Sequence, residues 1–326
     1  MARAAPDGAA RLSVVVIGAS GYTGAETLRW CLSHPRLDVV GATSRAHAGR
    51  QVGDVWPQLA AFPVPITERP PDADVAFLCL PHGEAARMAP SLSHRVLIDL
   101  SGDHRLPEPA HSAAYGFARE TPPWTYGLPE GGPDKLRGAT RIANPGCFAT
   151  ALSLALLPMR GRLSPRVHAV GLTGSTGSGA TPSEGTHHPQ RAENLRPYKV
   201  LSHQHVPEVV QALGGGFDLD FIPVSAPIRR GILVTLPLPG ARYADWAAFY
   251  AGNPLVRVIP RPPEVLHVLG SPRADIGLVE GPDGQAVVFC AIDNLCRGAG
   301  SQAVANLNLA MGWPVDLGLR TPGMVP

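Results

Sequence analysis

The chain has 326 residues, a formal net charge of +2 and 17% charged residues, so no basic excess points toward nucleic acid, and the length suits about two domains. No apolar run reaches the roughly 18 residues of a spanning helix, and the opening MARAAPDGAARL lacks the apolar middle of a secretory signal; a soluble cytoplasmic protein without membrane or nucleic-acid partners is expected. The five cysteines (Cys31, Cys79, Cys147, Cys290, Cys296) are scattered and never form CxxC, which argues against a disulfide framework or zinc knuckle and leaves reduced thiols as the expectation.

In chain order, RLSVVVIG reads as a buried strand, AETLRWCLSHP as an amphipathic helix ended by Pro35, RLDVVGATS as a second strand, DVAFLCLP as a third and RVLIDLS as a fourth. Alternating apolar runs and helical stretches predict parallel βαβ units and a doubly wound sheet. From Pro145 the pattern changes. A helix on CFATALSLALLPM leads to RVHAVGLTGS, LDFIPVSAPI, GILVTLPLP and QAVVFCAIDNL with few crossover helices, as in a mostly antiparallel sheet. The expected fold class is α/β: a Rossmann domain over 1–146, completed by a C-terminal helix at about 301–326, and an α+β catalytic and oligomerisation domain over 147–300. Apolar strands of the second domain could pair across subunits, which predicts a homodimer or homotetramer.

Between the first strand and helix, IGASGYTGAE spaces Gly18, Gly21 and Gly24 as GxxGxxG. Glycines there permit a tight turn, approach of backbone N–H groups to a pyrophosphate, and close helix packing. The second strand ends in Thr43, Ser44 and Arg45 where an NAD site usually carries an acid, so NADP(H) is expected, with Arg45 facing the 2′-phosphate. A solvated loop arginine is the bland alternative.

In ANPGCFATAL, an Asn-Pro-Gly turn presents Cys147 at the start of an apolar helix. Unsatisfied N–H groups and the helix dipole there favour the thiolate. YKVLSHQHVPEV offers His203, His205 and Glu208 as acid/base partners; the two histidines are also a conceivable metal pair, but no third ligand is evident, so no metal is expected. His187 and His188 in THHP fit a substrate contact and a solvated loop equally.

These residues are similar to a known family. GASGYTG, LPHG, IDLSGDHRL, NPGCFAT, GSGATPSEGTHHP, ENLRPYKVLSHQHVPE, RGILVT and AIDNLCRGAGSQAV resemble, in order and over nearly the whole chain, N-acetyl-γ-glutamyl-phosphate reductase of arginine biosynthesis and its sister enzyme of lysine biosynthesis, which reduces a carrier-linked aminoadipyl phosphate. The resemblance implies Cys147 as nucleophile and the HQH segment as acid/base, His203 favoured, with His205 toward the substrate. It implies NADP contacts from Gly18, Ser20, Gly21, Tyr22, Thr23, Gly24, Ser44 and Arg45, with Asn294 near the nicotinamide. Arg105 becomes a candidate for the acyl phosphate, with a structural ion pair to Asp103 or another acid as the alternative, and Ser183 and Glu184 for the substrate's amino acid end. NPGC, PSEGTH and ENLRPYK favour the arginine enzyme; the ending MGWPVDLGLRTPG and the HHP pair favour the lysine one.

Two other classes compete: a Cys-His hydrolase or acyltransferase without redox chemistry, which would need neither the glycine loop nor Asn294, and a nucleotide sensor with an unreactive Cys147.

Overall fold

The computed structural model describes residues 10–324. Most of the opening stretch read for a secretory signal, and the last two residues of the 301–326 segment, lie outside them. The chain divides into two compact units: Met1–Pro145 with Ala299–Arg320, and Gly146–Gly298 with Thr321–Pro326. The second segment of the first unit thus ends at Arg320, not at residue 326.

The first unit contains strands β1 (Leu12–Ile17), β2 (Leu37–Thr43), β3 (Ile66–Thr67), β4 (Val75–Leu78), β5 (Val96–Asp99), β6 (Thr125–Tyr126) and β7 (Arg141–Ala143). They form one sheet in the order β3-β2-β1-β4-β5-β7-β6, every pairing parallel. Its helices are α1 (Tyr22–Ser33), α2 (Val52–Val55), α3 (Glu84–Met88), α4 (Ala110–Tyr115) and, after the second unit, α9 (Ser301–Ala310). The strands VVVI, VAFL and VLID are continuously buried, as parallel strands covered on both faces require. Helix α9 packs on α1, and Asn308 bonds His34 across them at 3.0 Å.

The second unit contains β8 (Arg166–Thr173), β9 (Arg196–Pro197), β10 (Asp218–Ser225), β11 (Ile232–Pro237), β12 (Val256–Ile259), β13 (Ala274–Glu280) and β14 (Ala286–Ile292), in the order β12-β13-β14-β11-β8-β10-β9. The sheet is mixed and mostly antiparallel; β8 with β10 and β12 with β13 are the parallel pairs. Helices α5 (Cys147–Leu156), α6 (His188–Arg191), α7 (Val206–Ala212) and α8 (Tyr243–Phe249) complete it.

Helix α5 is apolar all round, and such a helix belongs in a core. Every residue after Cys147 in it is buried, and its last carbonyls are capped by α8: Trp246 Nε1 donates to Ala155 O at 3.1 Å and the Tyr250 hydroxyl to Leu154 O at 2.6 Å. Burying Phe148, Leu152, Leu154 and Leu156 stabilises by roughly 1.5–3 kcal/mol per side chain. The opposite sheet face is open: charged where β8 and β10 begin, with Arg166 and His168 paired to Asp218 and Asp220, and apolar beyond. Strand β8 alternates exposed and buried residues, with Val170 40% and its cross-strand neighbour Ile222 38% exposed.

Candidate active site

Cys147 is the first residue of α5 and stays partly exposed while the helix behind it is buried. Gly146 caps the helix with extended backbone and no side chain; its own N–H donates to Glu208 Oε2 at 3.0 Å. Helix α7 supplies that carboxylate, which is fully buried and whose Oε1 stands 4.0 Å from His205 Nε2. A Cβ on Gly146 would sit 2.2 Å from His205 Nε2, and a Cβ on Gly298 would sit 2.7 Å from Cys147 Cβ. Both glycines are therefore dictated by close approach: one admits an imidazole beside the thiol's helix turn, the other admits the cysteine itself.

The two histidines have different surroundings. His203 is ringed by Phe148, Tyr198 and Phe221 with centroids 5.5–5.8 Å away, and its Nδ1 accepts the backbone N–H of His205 at 3.2 Å. Burial, helped by the Lys199 charge, pushes it down to about 4. His205 is the one that carries a carboxylate partner and lies against Gly146. Tyr198, which the sequence reading passed over, lies within electrostatic reach of Cys147; burial first, then the Cys147 charge, raises its phenol. Among the described residues no group of three or more His, Cys, Asp or Glu is arranged to hold a metal ion.

Other expected contacts fall elsewhere. The Asn294 amide is engaged at both ends: Oδ1 accepts the Gly231 N–H at 2.7 Å and Nδ2 donates to Thr176 Oγ1 at 3.0 Å. The preceding Asp293 accepts the N–H groups of Leu295, Cys296 and Gly270 and pairs with Arg230 at 3.0 Å, which explains DNLC as a folding motif. Ser183 and Glu184 are exposed in a tight turn in which the Ser183 N–H donates to Thr186 Oγ1 at 2.8 Å. His188 begins the short helix α6 that follows, and His187 caps it; both are exposed.

In the first unit, Arg105 differs from the expectation of a phosphate ligand. It is buried, and its guanidinium donates to Asn144 O and Leu100 O, each at 2.8 Å, tying two strand ends together. The Asp103 carboxylate accepts the N–H groups of Gly83 and Ala86. Asn144 is held from every side: its N–H donates to Asp99 O at 2.7 Å, and Asn306 donates to its side-chain oxygen at 3.0 Å.

The glycine loop of the same unit separates into two roles. Gly18 has φ +89°, and a Cβ there would meet Cys79 O at 2.3 Å; a Cβ on Gly24 would meet Gly18 O at 2.3 Å. Packing demands both. Gly21 is different, since the nearest atom to its Cβ would be 3.8 Å away, leaving space over the first turn of α1, where no acidic residue stands. The N–H groups of Tyr22, Thr23 and Gly24 in that turn are thus available for an anion. Ser44 bonds Ser20 hydroxyl to hydroxyl at 3.0 Å, and the exposed Arg45 makes a loose contact with Glu84 at 3.6 Å. An exposed pair of that kind is worth little and yields readily to a phosphate.

A parallel nucleotide-type sheet and a second unit that opens on a helix-capped cysteine define a semialdehyde dehydrogenase architecture, and two family profiles match accordingly: "Semialdehyde dehydrogenase, NAD binding domain" over residues 13–139 and "Semialdehyde dehydrogenase, dimerisation domain" over 147–294. Solved structures share the fold. Aspartate semialdehyde dehydrogenase II of Vibrio cholerae superposes with TM-score 0.71 at 14% identity, covering 92% of this chain and 98% of that one, and the Candida albicans enzyme with NADP gives 0.70 at 15%, covering 92% and 99%. Curated relatives are nearer in sequence. N-acetyl-gamma-glutamyl-phosphate reductase of Salinispora tropica is 40% identical over 97% of this chain and 99% of its own length, and that of Thermus thermophilus 39% over 95% and 99%. The [LysW]-L-2-aminoadipate 6-phosphate reductase of Deinococcus radiodurans is 38% identical over 96% and 98%. The chain belongs to this N-acetyl-γ-glutamyl-phosphate reductase family.

Proposed function

We propose that the protein reduces N-acetyl-γ-glutamyl phosphate to its semialdehyde with NADP(H), releasing phosphate through a Cys147 thioester. The observation that carries this reading is Cys147 at the head of a buried helix, with His205 and Glu208 against the glycine before it, in a chain of this family.

The Cys147 thiolate attacks the acyl carbon; a carbon–sulfur bond forms, the carbon–oxygen bond to phosphate breaks, and phosphate leaves with its electron pair. NADP(H), when bound, supplies the hydride that reduces the thioester. The proton returns as the aldehyde departs and the sulfur is released. His205 Nε2 is the proton carrier in this scheme, in place of His203. His203 is enclosed by aromatic rings, uses Nδ1 on a backbone N–H, and is pushed down to about 4, too weak a base at neutral pH. Glu208 accepts the Gly146 N–H with one oxygen and stands 4.0 Å from the imidazole with the other, so one carboxylate neighbours both the helix cap and the base. N–H groups of the first α5 turn are the donors for the oxyanion.

For the cofactor, the first turn of α1 with Gly21 open fits the pyrophosphate, Ser20 and Ser44 fit the ribose side, and Arg45 fits the 2′-phosphate. Asn294 keeps the loops at Thr176 and Gly231 in place, and the nicotinamide is proposed to lie near it. Ser183 and Glu184 remain proposed contacts for the amino acid end of the substrate. Arg105 is not carried forward as the phosphate ligand, because its guanidinium is committed to carbonyls.

The second reading, carrier-linked aminoadipyl phosphate, is favoured by the Deinococcus radiodurans relative at 38% identity. Assaying both semialdehydes with NADP and phosphate decides between them. Loss of NADPH formation in Cys147→Ser, with NADPH binding retained, supports the covalent route; near-normal turnover in that variant overturns it. The protein is further proposed to form a homodimer through the open sheet face around Val170, Ile222, Thr235 and Phe289, a row of cross-strand neighbours.

A further inference from the structure

We propose that Trp56 is a positioning residue for the dinucleotide: its indole holds the Ala19 carbonyl and thereby turns the Ser20 N–H toward the pyrophosphate; this rests on the reading of the first α1 turn as the pyrophosphate site. The indole Nε1 donates to Ala19 O at 2.9 Å. Ala19 is fixed at its other end as well, where its N–H donates to Thr43 O, the close of β2, at 2.9 Å. A trans peptide is planar, and its C=O and N–H point to opposite sides. With the Ala19 carbonyl turned to Trp56, the Ser20 N–H faces the other way. It precedes Gly21, where the nearest atom to an added Cβ would be 3.8 Å away and space is open for an anion. The flipped peptide would present a carbonyl oxygen to that same space, and its lone pairs would repel a phosphate.

The indole reaches this carbonyl because the loop that carries it is fastened to the sheet. Gly49 N–H donates to Ile66 O at 2.9 Å, and Ile66 N–H to Arg50 O at 2.8 Å, so the loop leaves and rejoins at β3. Trp56 itself closes α2: its N–H donates to Val52 O at 2.8 Å, and Pro57 behind it restricts its backbone. A Cβ on Gly53 would stand 2.7 Å from Ala60 Cα, so glycine lets the two halves of the loop pack together. The ring also tilts against Tyr22, the first residue of α1, with centroids 6.2 Å apart. The indole thus meets the glycine turn on both sides of Gly21. An indole N–H can only donate, so it selects a carbonyl and cannot compete for the phosphate-facing donors. The contact joins residues 37 positions apart, and no local pattern in the sequence announces it.

Calorimetry on the full chain with two probes tests the role. ADP-ribose 2′-phosphate carries the pyrophosphate, whereas adenosine 2′-monophosphate keeps the adenosine and the 2′-phosphate without it. The native chain is expected to bind the first probe more tightly. Trp56→Phe keeps an aromatic ring and loses the donor; it should weaken the first probe about tenfold and leave the second within about twofold, which also shows that the nucleotide unit is folded. Trp56→His sets a ring nitrogen where the indole Nε1 stood and should recover part of the loss. Equal weakening of both probes would mean that Trp56 merely supports the fold, and it overturns the proposal, as does unchanged binding of both in Trp56→Phe. A native chain that binds the two probes equally would sink the pyrophosphate reading of the α1 turn, and the role of Trp56 with it.

Discussion

The imidazole of His205 rests directly on the α-carbon of Gly146: a single methyl group there would stand 2.2 Å from Nε2. This contact explains why the turn ahead of Cys147 ends in glycine, and it makes Gly146→Ala a sharp probe. The variant should stay folded with an overpacking cost of about 1–3 kcal/mol, while kcat/KM falls about 100-fold through displacement of the ring. Steady-state kinetics beside a thermal melt checks both.

His205→Asn should lower kcat by about 10²- to 10⁴-fold, the usual worth of a general acid/base, whereas His203→Asn keeps an acceptor for the His205 N–H and should cost no more than about tenfold. The reverse ordering, read from NADPH formation, would return the role to His203.

The pH dependence of stability carries a second signature of His203. Its proton binds near 6.5 in the unfolded chain and only near 4 in the fold, so the unfolded chain takes the proton first as pH falls. Stability present above that range is therefore lost on acidification, by about 2 kcal/mol between about pH 7 and about pH 5. Denaturant titrations of His203→Asn should show a smaller slope; some remains, because burial also lowers His34 to about 4.

Arg45→Ala should reduce the preference for NADP over NAD by about 10- to 100-fold, the worth of a charge-assisted contact to the 2′-phosphate, and do so chiefly through KM. Unchanged ratios of kcat/KM for the two cofactors would refute the assignment.

Val170→Asp places a charge in the open face of the second sheet, beside Ile222 and Thr235. Light scattering after gel filtration should show the assembly shifting from dimer to monomer, with the fold kept because residue 170 is exposed within the chain. A dimer that persists would move the interface elsewhere.

Long apolar runs declared themselves in the sequence. RLSVVVIG, DVAFLCLP and CFATALSLALLPM became β1, β4 and α5 because burial on all sides demands continuous apolarity, and GxxGxxG after a strand marked the turn into α1. The strands missed were of two kinds. β3, β6, β7, β9 and β12 have two to four residues and exist only where a neighbouring strand receives them. In β13 the pattern is broken by Asp275, a buried carboxylate neutralised by Arg257 from β12 and by Arg273 two residues before it.

The amino-acid order by itself determined the two-unit plan, the thiol at a helix start and a second strand that ends without an acid, since each of these is local chemistry. The tertiary structure decided the rest. It placed His205 rather than His203 on Gly146, spent Arg105 on two carbonyls, and brought Trp56 onto the Ala19 carbonyl. Those roles depend on which groups share a few ångströms of space and which hydrogen bonds are already taken, and sheet pairing between segments distant in the chain sets both.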